Sequence, residues 1–399
     1  MIVVYTSSHG WGHNVRTVAL LNELYNYPLE VVTTAPDWLI QTSLHNKRSK
    51  PLKIRKLLTD PGCVQNDPFN IDIDKSAEAW EKVFENLDSV LESEVSLLKT
   101  RGRIRLILSD ISFFGQLVAE KLGVPSVCVA TFDWAFIYCD YLKSNPRLAK
   151  IIQKVQDVSA RYDYCLIPGT VCRPISIGKK QIEFNWGSRK PRISRPDVRE
   201  MLGLTLVLDS VLMSFGGFPI QDLPKEAWKR FSNFEFFVLR PEKDCVELPP
   251  APNVHYLSSE RWSGMHVDLV NTVDVVMGKV GYGLCSEILH CQKPFLSVHR
   301  EENPEEEVIK KHLKRTIPFR EISQEQFKNG EWFFLNELVE MRVNELDYQK
   351  CVVDGEKQMA SWIRKILGDK EPLKINSTMV AGVVLILAVL IWFIFKIVK

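Results

Sequence analysis

Glycine-rich turns and one carboxylate in the second half of the chain have the spacing of a phosphate- and sugar-binding site. The turn Gly-Lys-Val-Gly-Tyr-Gly at 278–283 stands between an apolar strand pattern and a helix pattern, and Glu287 follows about one turn inside that helix. Glycines let the backbone approach a ligand closely, and the free N–H groups of a helix N-terminus bind phosphate. A carboxylate at this distance can accept hydrogen bonds from the two hydroxyls of a ribose. The pattern therefore predicts a nucleotide site.

A second glycine turn, Ser-Phe-Gly-Gly at 214–217, also follows a short apolar strand. Two such turns in one half of the chain fit a ligand site at the carboxyl ends of parallel strands. Glycine turns also precede helices in α/β proteins without touching phosphate, and that alternative stays open for each turn alone.

The third chemically suggestive stretch is His-Gly-Trp-Gly-His at 9–13, which follows the strand pattern of residues 2–6. Imidazole titrates near neutral pH, so His13 could take a proton from a hydroxyl that attacks an electrophile. His13 could instead only cap or pack. A zinc site made by His9 and His13 is disfavoured, because two intervening glycines argue against the helix that this spacing requires.

Alternating strand and helix patterns predict an α/β protein with two doubly wound, Rossmann-like domains that face a cleft. We expect a first domain over 1–168, a crossover over 169–204, a second domain over 205–346 and a closing helix over 347–368. One long helix is predicted over 75–98. Asp110 and Asp133 lie at or just past the ends of two predicted strands, where they could face a ligand or could be caps and turn residues.

Composition excludes several classes of function. The net charge is +2 without a long polybasic block, so we expect no nucleic-acid partner. Nine cysteines without a CxxC pair indicate reduced thiols rather than a zinc site. Asp72 and Asp74 resemble a metal-binding DxD pair, but a helix cap before residue 75 is the simpler interpretation, and we expect no metal.

The C-terminus predicts a membrane anchor. Residues 379–395 carry no charge and almost no polarity, which suits a transmembrane helix over 379–398. More basic residues precede this segment than follow it, so we expect the N-terminal part to face the cytoplasm. A secretory signal peptide is not expected at the N-terminus.

Taken together, 9–13, 131–138, 194–204, 214–217 and 278–287 resemble the GT-B glycosyltransferases of the MurG-like group. The similarity is greatest to the glycosyltransferase-like N-terminal domain of plant-type arabinokinases. The sugar-kinase domain of those proteins has no counterpart in this sequence, so kinase activity is not expected. The resemblance implies a nucleotide-sugar site in the second domain and an acceptor site in the first.

Residue roles follow from this resemblance. The predicted donor-binding residues are Gly216, Gly217, Lys279, Gly281, Tyr282, Gly283, Leu284, Glu287, Arg300, Glu302 and Asn303. His13 is the predicted catalytic residue, and His9, Trp11, Gly12, Asp110 and Asp133 are predicted on the acceptor side.

The resemblance implies a metal-independent hexosyl- or pentosyltransferase with a UDP-linked sugar as donor and no bound cofactor. The acceptor is unknown, and the anchor suggests one at a membrane. Two alternatives stay open: a non-catalytic sensor or scaffold that binds a nucleotide sugar, and a nucleotide-sugar epimerase.

Overall fold

A computed structural model of the chain describes residues 1–7, 9–44, 48–65, 67, 69–204, 208–216, 223, 225–245, 251–300, 303–341 and 348–370. Met1–Ala360 form one compact unit, and Ser361–Lys399 form another. The first unit contains two parallel sheets, and each sheet with its covering helices is here called a lobe.

The first lobe is built on a seven-stranded sheet and the second on a six-stranded sheet. The strands are β1 Ile2–Thr6, β2 Leu29–Val32, β3 Leu52–Arg55, β4 Leu106–Asp110, β5 Ser126–Val129, β6 Tyr164–Pro168, β7 Lys180–Phe184, β8 Asp209–Ser214, β9 Phe234–Arg240, β10 Val254–Ser258, β11 Val275–Gly278, β12 Phe295–Val298 and β13 Phe319–Ile322. Their order is β3-β2-β1-β4-β5-β6-β7 in the first sheet and β10-β9-β8-β11-β12-β13 in the second.

Helices cover the faces of both sheets. They are α1 Gly12–Glu23, α2 Asp37–Ser43, α3 Ile73–Glu85, α4 Leu87–Lys99, α5 Phe114–Leu122, α6 Trp134–Ile137, α7 Pro146–Ser159, α8 Arg195–Met201, α9 Lys225–Arg230, α10 Ser259–Trp262, α11 His266–Thr272, α12 Tyr282–Cys291, α13 Pro304–Thr316, α14 Gln324–Lys328, α15 Phe334–Met341 and α16 Gly355–Ile366. Every residue of the central strands β1, β4, β11 and β12 is buried, as expected of strands covered on both faces.

Three predicted elements differ from the structure. The closing helix expected over 347–368 is α16, which begins only at Gly355, and the described residues 348–354 before it are not helical. The single helix expected over 75–98 is two helices, α3 and α4, which meet at Asn86, where the backbone leaves the helical geometry (φ −105°, ψ 4°). The segment 169–204 is not only a crossover, because it contains β7, the edge strand of the first sheet, and helix α8. β7 escaped notice because an edge strand with exposed charges lacks the apolar run of a buried one.

Each of the three glycine turns lies at the carboxyl end of a parallel strand. The turn at 9–13 follows β1, the turn at 214–216 follows β8, and the turn at 278–283 follows β11. Since β8 and β11 are hydrogen-bonded neighbours, their two turns lie side by side at the carboxyl end of the second sheet. This is the edge where open α/β sheets bind ligands.

The two lobes also meet directly beside the cleft. A methyl group added at Gly264, between β10 and α11, would lie 2.6 Å from the Thr42 side chain and carbonyl of α2, so only glycine fits there. Among the described residues, none of the helices is both long enough and apolar enough to span a bilayer. The membrane helix predicted over 379–398 lies outside the described residues.

Candidate active site

A cleft of about 1230 Å³, its open mouth included, separates the carboxyl ends of the two sheets. The predicted site residues that line it are His9, Trp11, Gly12, His13, Gly216, Lys279, Gly281, Tyr282, Gly283, Leu284, Glu287 and Arg300. The glycine turns that were predicted in the two lobes therefore line one common cavity.

The N-terminus of α12 opens onto this cleft. Gly281 precedes the helix in extended conformation and, as a glycine, offers no side chain to cap the first N–H groups. A methyl group added at Gly283 would lie 3.4 Å from the Gly12 Cα, so the starts of α12 and α1 approach each other across the cleft. Free backbone N–H groups and the helix dipole make this end of α12 suitable for a diphosphate.

Lys279 supplies a side-chain cation beside that helix end. Its Cε would lie 3.3 Å from a methyl group placed on Gly216, whose φ of +70° requires the left-handed region. Burial, with the nearby Arg300 guanidinium, lowers the pKa of Lys279 to about 7. Arg300 Nη2 donates a hydrogen bond to the Val280 carbonyl, which fixes the turn. The Lys279 amine is therefore only partly protonated near neutral pH, and a bound anion would favour its protonated form.

His13 lies at the start of α1 and forms a hydrogen-bonded pair with Asp110 at the end of β4. The distance from His13 Nδ1 to Asp110 Oδ1 is 2.7 Å. Burial opposes ionisation of Asp110, but Arg16 and His13 lower the pKa of its carboxyl to about 2. The ionised carboxylate accepts the Nδ1 proton and leaves Nε2 as the basic nitrogen, and none of the described residues hydrogen-bonds to Nε2. This is the arrangement of a general base held by a carboxylate.

Arg16 is a cleft residue that the sequence analysis missed. Its Nε donates to Asp110 Oδ2 at 2.8 Å, and its Nη1 donates to the Thr131 hydroxyl at 3.1 Å. Asp110 pairs with Arg16 across 94 residues of sequence. The only local signal was that Arg16 follows His13 by three positions, which places both on one face of α1.

Aromatic rings and buried groups surround His13 on the first lobe. The ring centroids of His9 and Phe132 lie 6.1 Å and 5.9 Å from that of His13. Burial, together with the neighbouring His13, lowers the pKa of His9 to about 3, so His9 is neutral at physiological pH. Asp60 accepts a hydrogen bond from Trp134 Nε1 at 3.0 Å, and burial raises the pKa of Asp60 to about 6.

Glu287 lies in the cleft but already has two protein partners. Arg189 Nε donates to one carboxylate oxygen at 2.6 Å, and His266 Nδ1 lies 2.6 Å from the other. Glu287 is 1% exposed, and although burial opposes its ionisation, Arg189 and His266 lower the pKa of its carboxyl to about 2. A ribose would have to use the remaining lone pairs or displace a partner. The ribose-binding role therefore stays a prediction, with Arg189 and His266 as neighbours that sequence reasoning missed.

Other predicted residues lie away from the cleft surface. Asp133 caps α6, where it accepts from the Phe136 N–H at 2.9 Å, so the alternative of a cap is the one found. Asn303 caps α13. Neither is among the residues that line the cleft. Gly217 and Glu302 lie outside the described residues.

Among the described residues, one group of three side chains has the spacing of metal ligands, and the predicted DxD acid Asp72 is not part of it. Asp72 caps α3 by accepting from the Lys75 N–H, as the cap interpretation predicts. Ligand atoms of His299, Glu306 and Glu321 lie within 4.8 Å of one another. The Lys310 ammonium, however, lies 2.8 Å from His299 Nδ1 and 3.0 Å from Glu306, so it provides a positive charge among them.

Comparison with known proteins gives one sequence relative and several structural ones. No family model matches the sequence. L-arabinokinase of Arabidopsis thaliana is 29% identical over 335 residues, which are 82% of this chain and 31% of the relative. The chain thus spans about a third of the length of the curated relative that it matches.

Solved structures, two of them named as glycosyltransferases, superpose along nearly the whole chain. A UDP-glucosyltransferase from Polygonum tinctorium capable of glucosylating indoxyl has a TM-score of 0.59 at 12% identity, with 92% of this chain and 99% of the other covered. The calicheamicin glycosyltransferase CalG4 has a TM-score of 0.57 at 13% identity, with 93% and 99% covered. S. aureus MnaA with UDP has a TM-score of 0.56 at 12% identity, with 94% and 100% covered.

The chain has a GT-B glycosyltransferase-like fold. The predicted pair of parallel α/β lobes around a cleft is confirmed by these structures. At this level of identity the similarity establishes the fold. The chemistry of the GT-B cleft in this chain has to be argued from its own side chains.

Proposed function

We propose that this protein transfers a sugar from a nucleotide-sugar donor, with UDP as the nucleotide, to a hydroxyl of an acceptor. The observation that carries the proposal is that His13 lines the same cleft as the glycine turn at the start of α12. Its Nδ1 is paired with Asp110, and its Nε2 has no hydrogen-bond partner among the described residues. A base and an anion site on opposite sides of one cavity are the two groups that glycosyl transfer needs.

The reaction follows from these positions. The diphosphate of the donor binds at the N-terminus of α12, beside Lys279. His13 Nε2 takes the proton of the acceptor hydroxyl as its oxygen bonds to the anomeric carbon, while the bond from that carbon to the diphosphate oxygen breaks. Asp110 holds the imidazole orientation and stabilises the imidazolium. The helix dipole and Lys279 stabilise the departing diphosphate.

Two further points belong to the proposal. UDP is favoured because the names of structural neighbours include a UDP-glucosyltransferase and a complex with UDP. Metal independence is proposed because α12 and Lys279 can neutralise the leaving group, and EDTA should then leave turnover unchanged, whereas loss of activity with EDTA would reject it.

The test uses the purified full-length protein and a panel of UDP- and GDP-sugars. We expect UDP and at least one UDP-sugar to raise the melting temperature and that sugar to be slowly hydrolysed or transferred. His13→Ala should abolish turnover and preserve UDP binding, and His255→Ala, at an ion pair with Glu235 on the edge strand β10, is the matched control. Absence of binding across the panel would reject the proposal. Binding without hydrolysis or transfer would instead support a sensor, and isomerisation of the donor sugar without an acceptor would support an epimerase.

We also propose that residues 379–398 anchor the protein in a membrane, with both lobes on the cytoplasmic side. The support is the uncharged apolar run of 379–395 and the excess of basic residues before it. The full-length protein should remain in the membrane pellet after carbonate extraction, whereas a chain ending at residue 370 should be released. Release of both would refute the anchor.

A further inference from the structure

Arg16 belongs to the first lobe yet contacts the second. Its guanidinium hydrogen-bonds to both carboxylate oxygens of Asp110 and to the Thr131 hydroxyl. The guanidinium carbon also lies 5.1 Å from the centroid of the Tyr282 ring, within the range of a cation–π interaction. Arg16 is only 4% exposed, so these contacts are shielded from solvent.

Tyr282 is a fixed platform for that guanidinium. It is the first residue of α12, the helix whose start forms the proposed diphosphate site. Its hydroxyl accepts a hydrogen bond from the Gly187 N–H at 3.0 Å, and its ring stacks on Trp186 with centroids 4.8 Å apart. Because Tyr282 cannot move independently of α12, the position of Arg16 depends on the second lobe.

We propose that Arg16 is a positioning residue that couples the donor site of the second lobe to the His13–Asp110 pair of the first. This inference rests on the proposed function, since it concerns the same cleft. A diphosphate at the start of α12 attracts the guanidinium and fixes it against Tyr282. The planar fork of Arg16, which already holds both oxygens of Asp110, is thereby restrained, and Asp110 in turn fixes the imidazole of His13.

Lysine is the informative replacement because it keeps the charge and loses the fork. A lysine ammonium is a point charge on a flexible stem and cannot hold both oxygens of Asp110 and the Thr131 hydroxyl in one plane. If Arg16 served only as a cation, Arg16→Lys would behave like the wild type. Under the proposal, Arg16→Lys breaks the connection between the donor site at α12 and the His13–Asp110 pair.

Hydrogen exchange with UDP as the probe tests the coupling without requiring turnover. In the wild type, UDP should slow amide exchange both in α12 and in the first turns of α1. In Arg16→Lys, UDP should bind within about threefold of the wild-type Kd and protect α12, but protection of α1 should be lost, since α1 senses UDP through the guanidinium fork. Arg147→Lys, at an exposed ion pair with Glu81 in the first lobe, is the matched control and should behave like the wild type.

Each result decides between the two proposals. Wild-type protein that does not bind UDP would reject the proposed function and this inference with it. UDP binding that protects α1 equally in the wild type and in Arg16→Lys would overturn the inference alone. Equal melting temperatures of the free proteins exclude a folding defect, and if Arg16→Lys unfolds, Tyr282→Leu removes the ring and should give the same loss of protection.

Kinetics provide a second measurement for any UDP-sugar that is turned over. Arg16→Lys should lower kcat about 100-fold with little change in KM for the donor, because misplacement of a base by about 1 Å has such an effect. Free guanidinium should restore part of kcat in Arg16→Ala, whose cavity opens on the cleft, but not in His13→Ala. A change in KM alone, or the absence of rescue, would contradict the positioning role.

Discussion

The two lobes each bury a histidine, a carboxylate and an arginine at the cleft, with nearly the same contacts. In the first lobe Asp110 binds His13 Nδ1 at 2.7 Å and Arg16 Nε at 2.8 Å. In the second lobe Glu287 binds the Nδ1 of its histidine and the Nε of its arginine at 2.6 Å each. Both carboxyl groups have a pKa of about 2, since the neighbouring cations outweigh the effect of burial.

The difference between the two sets lies at the far nitrogen of each histidine. His266 Nε2 is 2.9 Å from the Ser214 hydroxyl, whereas His13 Nε2 has no hydrogen-bond partner in the described part of the chain. Likewise Arg189 hydrogen-bonds to Ser43 and to the Ser263 carbonyl, which join the lobes beside the cleft. Under the proposed function, one set is arranged to exchange a proton and the other to hold structure. The two sets match in histidine, arginine and a carboxylate (Asp110 or Glu287), and the hydrogen-bonding of the far histidine nitrogen distinguishes them.

The largest expected effect separates the two histidines. His13→Asn should lower turnover of a UDP-sugar about 1000-fold, since it removes the general base. His266→Asn should lower kcat less than about tenfold, because its nitrogen holds Ser214 and Glu287 rather than substrate. Steady-state kinetics with UDP affinity as the control would measure both. Equal losses of kcat would refute the contrast between the two sets.

Acid stability should show where the two sets are alike. The pKa of each carboxyl is lowered to about 2, so each contributes stability that is fully present above its unfolded pKa of about 4 and is lost as pH falls towards 2. The expected contribution is about 2 to 3 kcal/mol each. When the free energy of unfolding is measured in urea between pH 5 and 2, its decrease with falling pH should be smaller in Asp110→Asn and in Glu287→Gln than in the wild type. If the pH dependence of the unfolding free energy were unchanged in only one of the two variants, the carboxyl group removed in that variant would be paired less firmly than the corresponding carboxyl group of the other lobe.

Lys279 gives the second lobe a titrating group of its own. Its pKa of about 7 means that it loses its proton as pH rises through neutrality, so above pH 7 binding of a diphosphate must be accompanied by uptake of a proton from solvent. UDP-glucose, whose diphosphate does not titrate in this range, should bind about tenfold more weakly at pH 8.5 than at pH 6.5. Calorimetry should detect the accompanying proton uptake in the wild type and a flat profile in Lys279→Met. A flat wild-type profile would place the diphosphate away from Lys279.

Ser214→Ala should have the smallest effect. It releases His266 Nε2 from its partner at 2.9 Å and removes one buried hydroxyl at the edge of the second sheet. Kcat and the Kd for UDP should both stay within about threefold of the wild type, because neutral hydrogen bonds contribute about 1 kcal/mol. A larger loss of kcat would give Ser214 and His266 a part in the chemistry and narrow the contrast between the lobes.

Sequence reasoning succeeded where the information is local. The buried strands β1, β8 and β11 are continuous apolar runs, and the strand–turn–helix order places His13 and the turn at 278–283 at the cleft. It failed where the apolar stripe runs on across Asn86, which ends α3, and where exposed charges mark the edge strand β7.

The missed site residues have their partners far along the chain. Arg16 lies 94 residues from Asp110, and Arg189 lies 98 residues from Glu287, so no periodicity or spacing could join them. Only the packing of the lobes shows that Glu287 already has two partners. For the same reason the ribose-binding role, which depends on what surrounds the carboxylate, could not be judged from the glycine turn alone.

The close approach of Gly283 to Gly12 should make the cleft sensitive to the anions of the buffer. A methyl group at Gly283 would lie only 3.4 Å from the Gly12 Cα, so the partially positive ends of α1 and α12 repel each other across a narrow gap. Any small anion that enters the gap relieves this repulsion and brings the starts of α1 and α12 closer together. Phosphate and sulfate buffers should therefore compete with substrate, and chloride salts should do so more weakly because chloride carries a single charge.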